Sequence, residues 1–572
     1  MPTLVCVPIM LEHPPVADPA RGGDFAPEPG LAGAVTAALA DAALAKQKGA
    51  DLVEFRIDSV FEGAEQGPDA DELDAYTVAE FRRLLAESPL PVILTCRPTW
   101  EGGEYDGDDS DRVALFEKLC CDTEHPPAYL DVELAAYTRS ANLRQKINLC
   151  VTHPKQQRKG VTTRLILSTH DFEGRPADLD RRLLAMYEEP ACAVVKVAYR
   201  ARSLRDNLDL FEILRESPKP TIALGMGEFG LTSRVLAPKF HGFLTFASLR
   251  DQAATAPGQP TIDDLLGLYR FRKIGKETRL YGVIGWPVGH SLSPLIHNAG
   301  FDEIGWDGVY LPLPILADEH DATVTATSFN ATVNALADEL ALSFEGASVT
   351  IPHKEHAVRF GSPSGLRDPS LIGAANTLTL DPNRERHTAN TDADAIVELL
   401  TGRGVCGADC RIGIVGAGGV AKAAAYALLQ TGTTVVLYNR TIRRAESMAD
   451  ELNANNPTGK IVAAELDLLP RACCHAFVNC TPVGMIGGPD PEGLSIPIPD
   501  MPNIDENTVF FDTVYNPIET PMLRAARERG CRTIDGVEMF VRQAAAQFEL
   551  WTGKTAPSEL FDRLCRDKLD AI

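Results

Sequence analysis

Eight short apolar runs recur through the first half of the chain, each followed by a longer stretch with helical spacing. This rhythm limits the possible folds more than any other feature. The runs are Leu4–Ile9, Asp51–Ile57, Pro91–Cys96, Ala128–Val132, Arg164–Ser168, Ala193–Val197, Thr221–Leu224 and Gly242–Phe246. Short apolar runs alternating with helices predict parallel strands joined by crossovers. Eight such units in about 250 residues have the size of a closed (β/α)8 barrel, although a doubly wound sheet shares the alternation. In a barrel the reactive groups gather where strands end, and polar residues cluster at those ends here. The stretches Glu12–Gly30, rich in Pro and Gly, and Pro154–Thr163, polar and basic, interrupt the rhythm as insertions.

The segment Thr261–Gly275 reads as a closing helix and short linker, after which the strand Arg279–Ile284 opens a second α/β region. The pattern restarts near Gly404–Cys410 with the strand Arg411–Val415. The expected fold class is α/β throughout. A (β/α)8 barrel over 1–272 is followed by a pair of α/β domains, one over 279–395 completed by 537–572, the other over 405–536. The final helix, Val537–Thr552, has polar residues at helical spacing and is expected to fold back onto the earlier region.

Of 572 residues, 45% are hydrophobic and 23% charged, enough apolar material for a large core. The net charge of −24 argues against nucleic acid or an anionic membrane as main partner. No apolar stretch reaches the roughly 20 residues of a membrane span. The N-terminus opens with a strand instead of a basic, cleavable leader. Thirteen cysteines without zinc-ligand spacing read as reduced thiols. The expected setting is the cytoplasm, and no metal is expected.

The run Gly416-Ala417-Gly418-Gly419-Val420-Ala421 lies between a strand and an alanine-rich helix. Glycines there let the backbone approach a pyrophosphate resting on the helix N-terminus, although a tight structural turn produces the same letters. The next strand, Thr433–Tyr438, ends in Asn439-Arg440-Thr441, about 20 residues on, where NAD enzymes carry an acid. An acid would repel a ribose phosphate, whereas Arg440 and Arg444 would clamp it, which selects NADP. Two solvated surface arginines are the competing reading.

Short polar clusters follow one another in the same half: Ser291 and Ser293 in GHSLSP, Thr350 and Lys354 in SVTIPHK, Asn376-Thr377, and Asn390-Thr391-Asp392. Hydroxyls and amides suit a ligand with several hydroxyl groups and a carboxylate, and a lysine–aspartate pair can move a proton at a reacting oxygen. Any one cluster also reads as a cap or turn. Together and in this order they resemble shikimate dehydrogenase over about residues 279 to 572. The resemblance implies that Ser291, Ser293, Thr350, Asn376 and Gln543 contact shikimate and that Lys354 and Asp392 are the catalytic pair. It also implies that Asn479, Thr481 and Met539 line the nicotinamide side and that Tyr515 lies near the substrate. Ser348, Thr388 and Val420 depart from the usual residues of the family.

In the first half, Lys196 lies inside the apolar run AVVKVA. A buried lysine tends to lose its proton, and the neutral amine can attack a ketone, although a lysine snorkelling from a strand end gives the same pattern. His170 in STHDF ends the preceding strand as a candidate general base with near-neutral pKa, and Glu101 in RPTWEGG could orient it. Arg56, Arg97 and Arg234 recur at strand ends, and three arginines in one pocket would bind a carboxylate and hydroxyls. The pattern resembles type I 3-dehydroquinate dehydratase over about residues 1 to 272. That resemblance implies an imine at Lys196, proton transfer by His170 paired with Glu101, and substrate held by Glu54, Arg56, Arg97 and Arg234. Met226, Thr255 and Gln259 join them as contacts.

The two resemblances together imply consecutive reactions on small-molecule substrates: 3-dehydroquinate loses water to give 3-dehydroshikimate, which NADPH reduces to shikimate. Three alternatives remain at this level. The second half acts on quinate, the barrel is a non-catalytic binding module, or the dehydrogenase fold serves as a sensor.

Overall fold

Valine, isoleucine, leucine and phenylalanine dominate the eight runs, and burial on both faces makes each a strand of a parallel sheet. In the computed structural model, which describes residues 2–11, 30–61, 75–121, 123–154, 156, 160–250, 258–318, 320–455 and 458–571, the chain divides into two units, Met1–Thr278 and Arg279–Ile572. The first unit contains β1 (Leu4–Met10), β2 (Leu52–Arg56), β3 (Val92–Thr95), β4 (Tyr129–Glu133), β5 (Arg164–Asp171), β6 (Cys192–Arg200), β7 (Thr221–Met226) and β8 (Leu244–Phe246). Each strand pairs with its sequence neighbour in parallel from β1 to β7, and β8 returns to pair with β1. Between β7 and β8 the ladder gives way to a single bond, from the Phe243 amide to the Thr221 carbonyl at 2.8 Å. The sheet is therefore a nearly closed eight-stranded barrel.

Because side chains alternate across a strand, residues two apart share a face. Cys6, Leu52, Ile93, Tyr129, Ile166, Val194, Ile222 and Leu244 form one apolar cluster inside the barrel. Two residues further along β2, β3, β4, β5 and β6 come Glu54, Thr95, Asp131, Ser168 and Lys196, all buried. A polar layer thus lies directly on an apolar plug.

One expectation for this unit needs correction. The segment Thr261–Gly275 is not one closing helix. Asp264–Leu268 bonds in π register, Arg270 stands at a positive φ of 52°, and Phe271–Lys273 is a single 3-10 turn. Gly267 lowers the helical propensity of that stretch. Within the polar stretch Pro154–Thr163, Gln156 is buried and donates to the carbonyls of Cys120 and Cys150. Residues 12–29 of the other interruption lie outside the described residues.

The second unit holds two sheets. The first comprises β9 (Arg279–Gly285), β10 (Gly308–Pro314), β11 (Phe344–Val349), β12 (Ser362–Pro363), β13 (Thr377–Leu380) and β14 (Arg386–Ala389), in the order β10-β9-β11-β13-β14-β12. The second comprises β15 (Arg411–Val415), β16 (Thr434–Asn439), β17 (Lys460–Glu465), β18 (Ala476–Asn479), β19 (Val509–Asp512) and β20 (Arg532–Ile534). Its order, β17-β16-β15-β18-β19-β20, is all parallel and, counted within the sheet, runs 3-2-1-4-5-6, the Rossmann order.

The helix Gly536–Thr552 starts in a capping box formed by Asp535 and Glu538. Its Val537, Val541, Phe548 and Trp551 pack with Tyr281 and Tyr310 of the first sheet, while Met539 enters the core of the Rossmann sheet. It is not the final helix, however. Ser558–Asp570 follows and adds Phe561 and Cys565 to the same core. Among the described residues no helix is long and apolar enough to cross a membrane. Among the described residues, which include all thirteen cysteines, there is no disulfide.

Candidate active sites

In the barrel, β6 carries Lys196 on the inward face, 5% exposed. Its Nζ donates to Asp131 Oδ2 at 2.8 Å, lies 3.5 Å from Glu54 Oε1 and sits 4.7 Å from the centre of the Phe246 ring. The apolar context read from AVVKVA is thus incomplete. The amine is shielded from water, but two carboxylates face it, because β2 and β4 each place an acid in the same layer. Burial opposes ionisation of Asp131, yet the charges of Arg97 and Lys196 hold its carboxyl well below the usual range.

His170, on β5, places Nδ1 2.8 Å from Glu101 Oε2. Burial, with Arg97 and Lys196 adding positive charge, pushes His170 well below 6.5 rather than leaving it near-neutral as expected. The imidazole is therefore neutral, the form in which it accepts a proton. Burial raises Glu101 to about 8 despite the opposing charge of Arg97. The next residue, Gly102, has φ +75°, and a Cβ there would meet the Phe172 ring at 2.2 Å. Phe172 can thus close over the turn that bears Glu101.

The three strand-end arginines differ. Arg56 binds Asp58 through Nε and an Nη at 2.8 and 2.7 Å. Arg97 reaches Asp131 at 3.0 Å, Glu133 at 2.7 Å and Ser168 at 2.8 Å. Arg234 is 3% exposed and has no acidic partner among the described residues, and burial lowers it to about 10, so it stays charged at neutral pH. A buried cation without a counter-ion is a waiting anion site. All three arginines, with Glu101, His170 and Lys196, line one cavity. Glu54, Met226 and Gln259 complete its walls. Thr255 lies outside the described residues.

Asp131 and Glu133 were not singled out from the sequence. Their signal was present: two acids at i and i+2 in an apolar strand must share the inward face.

In the second unit, Lys354 starts the short helix after β11 and Asp392 lies in the first turn of Thr391–Gly402, where the helix dipole favours an anion. Lys354 Nζ donates to Asp392 Oδ2 at 2.5 Å. Asn390 caps that helix by accepting from the Ala393 amide at 3.1 Å. Asn376, 2% exposed, accepts from the Thr391 amide at 2.8 Å and reaches Gln543 Oε1 at 3.5 Å. Ser291 accepts from the Ser293 amide at 3.2 Å at the start of Ser293–Glu303, and Thr350 is half-buried just beyond β11. Behind them runs a buried network that the sequence did not reveal: Tyr310 donates to Ser348, which donates to Gln547, which donates to the Asn376 carbonyl. Ser348 is a small hydroxyl because it relays between a phenol and an amide. Thr388 is buried in the β13–β14 ladder. Tyr515 lies tilted against Phe540, ring centres 5.1 Å apart.

The glycine-rich turn joins β15 to the helix Gly419–Gln430. Gly416 has φ +118°, and a Cβ there would lie 2.9 Å from the Cys480 carbonyl, while Cβ atoms at Gly418 and Gly419 would meet nothing within 4 Å. A bare cradle therefore opens at a helix N-terminus, between the strands where the order reverses, and it fits a dinucleotide pyrophosphate. Val420 is half-buried and Ala421 buried in the helix behind it. Asn439 braces the end of β16 by donating to the Thr441 carbonyl, and Arg440, Thr441 and Arg444 are exposed beyond it. Asn479 is fully engaged, donating to Asp512 and accepting from the Thr481 amide and hydroxyl. It shapes the β18 end instead of offering a free amide. Met539 is 6% exposed, within the core.

Fold and site together define a lysine-centred (β/α) barrel joined to a two-sheet dehydrogenase. A family model described as type I 3-dehydroquinase matches residues 32–276. Models described as shikimate dehydrogenase substrate binding domain, shikimate / quinate 5-dehydrogenase and shikimate 5'-dehydrogenase C-terminal domain match 283–378, 402–471 and 536–564. The chain is 34% identical to the chloroplastic bifunctional 3-dehydroquinate dehydratase/shikimate dehydrogenase of Arabidopsis thaliana, over 98% of this chain and 84% of that one. It is 36% identical to a shikimate dehydrogenase (NADP(+)) of Methanocella arvoryzae, over 51% of this chain and 99% of that one. A solved dehydroquinate dehydratase and shikimate dehydrogenase from S. pombe AroM is 25% identical, covering 92% of this chain and 96% of that one, with a TM-score of 0.41. The chain belongs to the bifunctional 3-dehydroquinate dehydratase/shikimate dehydrogenase family.

Proposed function

We propose that the barrel dehydrates 3-dehydroquinate through an imine at Lys196 and that the second unit reduces the resulting 3-dehydroshikimate to shikimate with NADPH. One observation carries the reading: a single cavity holds a buried primary amine, a histidine–carboxyl pair and a guanidinium without an acid. Arg234 takes the substrate carboxylate, and Arg56, Glu54, Met226 and Gln259 hold the ring. Thr255 is assigned to the same task. Arg97, already held by two acids, contributes mainly through its charge.

For attack, the Lys196 ammonium gives up a proton to water and the amine adds to the ring ketone. Water leaves and a C=N bond forms, which draws electrons from the adjacent C–H bond. His170, oriented by Glu101, removes that proton and returns one to the departing hydroxyl, which leaves as a second water; a water then hydrolyses the imine and frees Lys196, so the whole cycle loses one water.

In the second unit NADPH, when bound, supplies a hydride. Gly416, Gly418 and Gly419 leave room for its pyrophosphate at the helix N-terminus, and Arg440 and Arg444, flanked by Asn439 and Thr441, recognise the ribose phosphate. Val420, Ala421, Asn479, Thr481 and Met539 support the cradle. Lys354 gives a proton to the substrate oxygen while Asp392 holds the ammonium in place. Ser291, Ser293, Thr350, Asn376, Tyr515 and Gln543 bind the hydroxyls and carboxylate. We assign the barrel to 1–272, the substrate domain to 279–395 with 537–572, and the cofactor domain to 405–536.

The test is a coupled assay. Added 3-dehydroquinate should consume NADPH with shikimate as product, and absence of turnover, or a marked preference for quinate with NAD, would refute the assignment. Thirteen cysteines without a disulfide and a net charge of −24 favour a reducing aqueous compartment, which we take to be the cytoplasm. Fractionation of the source cells would check this.

A further inference from the structure

The buried charges do not end at Lys196. A row of alternating charges runs outward through the barrel wall, carried by strands and by the helix Asp109–Cys120. From Lys196 it passes to Asp131, then Arg97 and then Glu133, at 2.8, 3.0 and 2.7 Å. Beyond the barrel interior, Glu133 Oε2 receives Arg112 at 2.6 Å. Arg112 also binds Asp109 at 2.9 Å, and Asp109 meets the exposed Arg139 at 2.6 Å. Glu133 is wholly buried and Arg112 is 1% exposed. Ion pairs this deep interact more strongly than surface pairs because little water screens them.

We propose that Arg112 is a positioning residue for dehydration, acting through Glu133 and Arg97 to set how tightly Asp131 holds the proton on Lys196. Glu133 shares its two oxygens between two guanidiniums. With Arg112 present, Glu133 is half-neutralised from outside, and Arg97 remains free to share itself with Asp131. Without Arg112, Arg97 is drawn to Glu133 and Asp131 is left to the ammonium alone, which then releases its proton less readily. Without the charge of Glu133, Arg97 turns wholly to Asp131, and the ammonium is held less. The two changes therefore act in opposite directions. Simple Coulomb reasoning gives the same signs, since one change removes a cation near the amine and the other removes an anion. The remaining groups around Lys196 are common to both cases: Glu54 from β2, Cys6 from β1, His170 from β5 and the Phe246 ring from β8. Arg56 and Glu101 lie further along the same cavity.

The inference rests on Lys196 as the imine-forming residue. The experiment measures borohydride trapping of 3-dehydroquinate by the full chain across a pH series. Failure of the unaltered chain to form any adduct would remove the imine reading itself. Given an adduct, Arg112→Met should shift the pH midpoint of the trapping rate upward by about half a unit, a roughly threefold slower rate on the rising limb. Glu133→Gln should shift it downward by a similar amount. A full adduct at the alkaline plateau in each variant establishes an intact site. Unmoved midpoints, or midpoints moving in the same direction, would overturn the proposal, since a merely structural role cannot give opposite shifts. If Arg112→Met does not fold, Glu133→Gln decides alone: a lower midpoint supports the proposal and an unchanged or higher one ends it.

Discussion

Lys196, His170 and Glu101 were legible as candidates because their types are rare in apolar strands and tight turns, and the structure places all three on one cavity. Their protonation was not, since it depends on neighbours brought in by other strands. Glu101 illustrates the consequence. Its folded pKa of about 8 exceeds its ordinary 4.5, so the folded state binds the proton that the unfolded chain releases. The stability this contributes is complete below about 4.5 and is lost as pH rises through 8. Glu101→Gln should therefore be more stable than the parent in alkaline buffer, on the order of a few kcal/mol, with the gap closing toward acid. Urea unfolding of the barrel transition across pH measures this, and dehydration should fall in the same variant. On the cofactor side, Arg440→Ala with Arg444→Ala should raise the KM for NADPH by on the order of tenfold and leave that for NADH nearly unchanged. An unaltered NADPH value would assign both arginines to solvent.

At the scale of elements, strand existence followed from run length and β-branched content, and every strand expected from the sequence is present. The helix Gly536–Thr552 carries more than its letters reveal, because it serves two cores at once through Met539 on one side and Phe548 and Trp551 on the other. It also bears Gln543 and Gln547, which reach Asn376. Asp535 holds its first turn through the Glu538 amide at 2.9 Å and also pairs with Arg566 at 3.1 Å. Asp535→Ala should cost about 1–2 kcal/mol in the unfolding of the second unit. Loosening the helix should raise the KM for 3-dehydroshikimate and leave dehydration intact, read by assaying the two reactions separately. The helix Ser558–Asp570 was legible too, since Leu560, Phe561, Leu564, Cys565 and Leu569 recur at helical spacing; what the letters do not show is that this face packs against Phe548.

For the whole molecule, two units with separate cores imply separable activities. Lys196→Ala should abolish dehydration and spare reduction, while Asp392→Ala should abolish reduction and spare dehydration. Parallel assays check both, and equal loss of both activities in either variant would show that the units depend on each other. The sequence by itself determined the barrel rhythm, the Rossmann turn and the order of the polar clusters, because periodicity and residue type are local properties. Tertiary structure alone decided which charges meet. Asp131, Glu133 and Arg112 lie far from Lys196 along the chain, and only a nearly closed parallel sheet brings groups from β1, β2, β4, β5 and β8 around one amine. Coulomb interactions depend on distance through space, which no reading along the chain supplies.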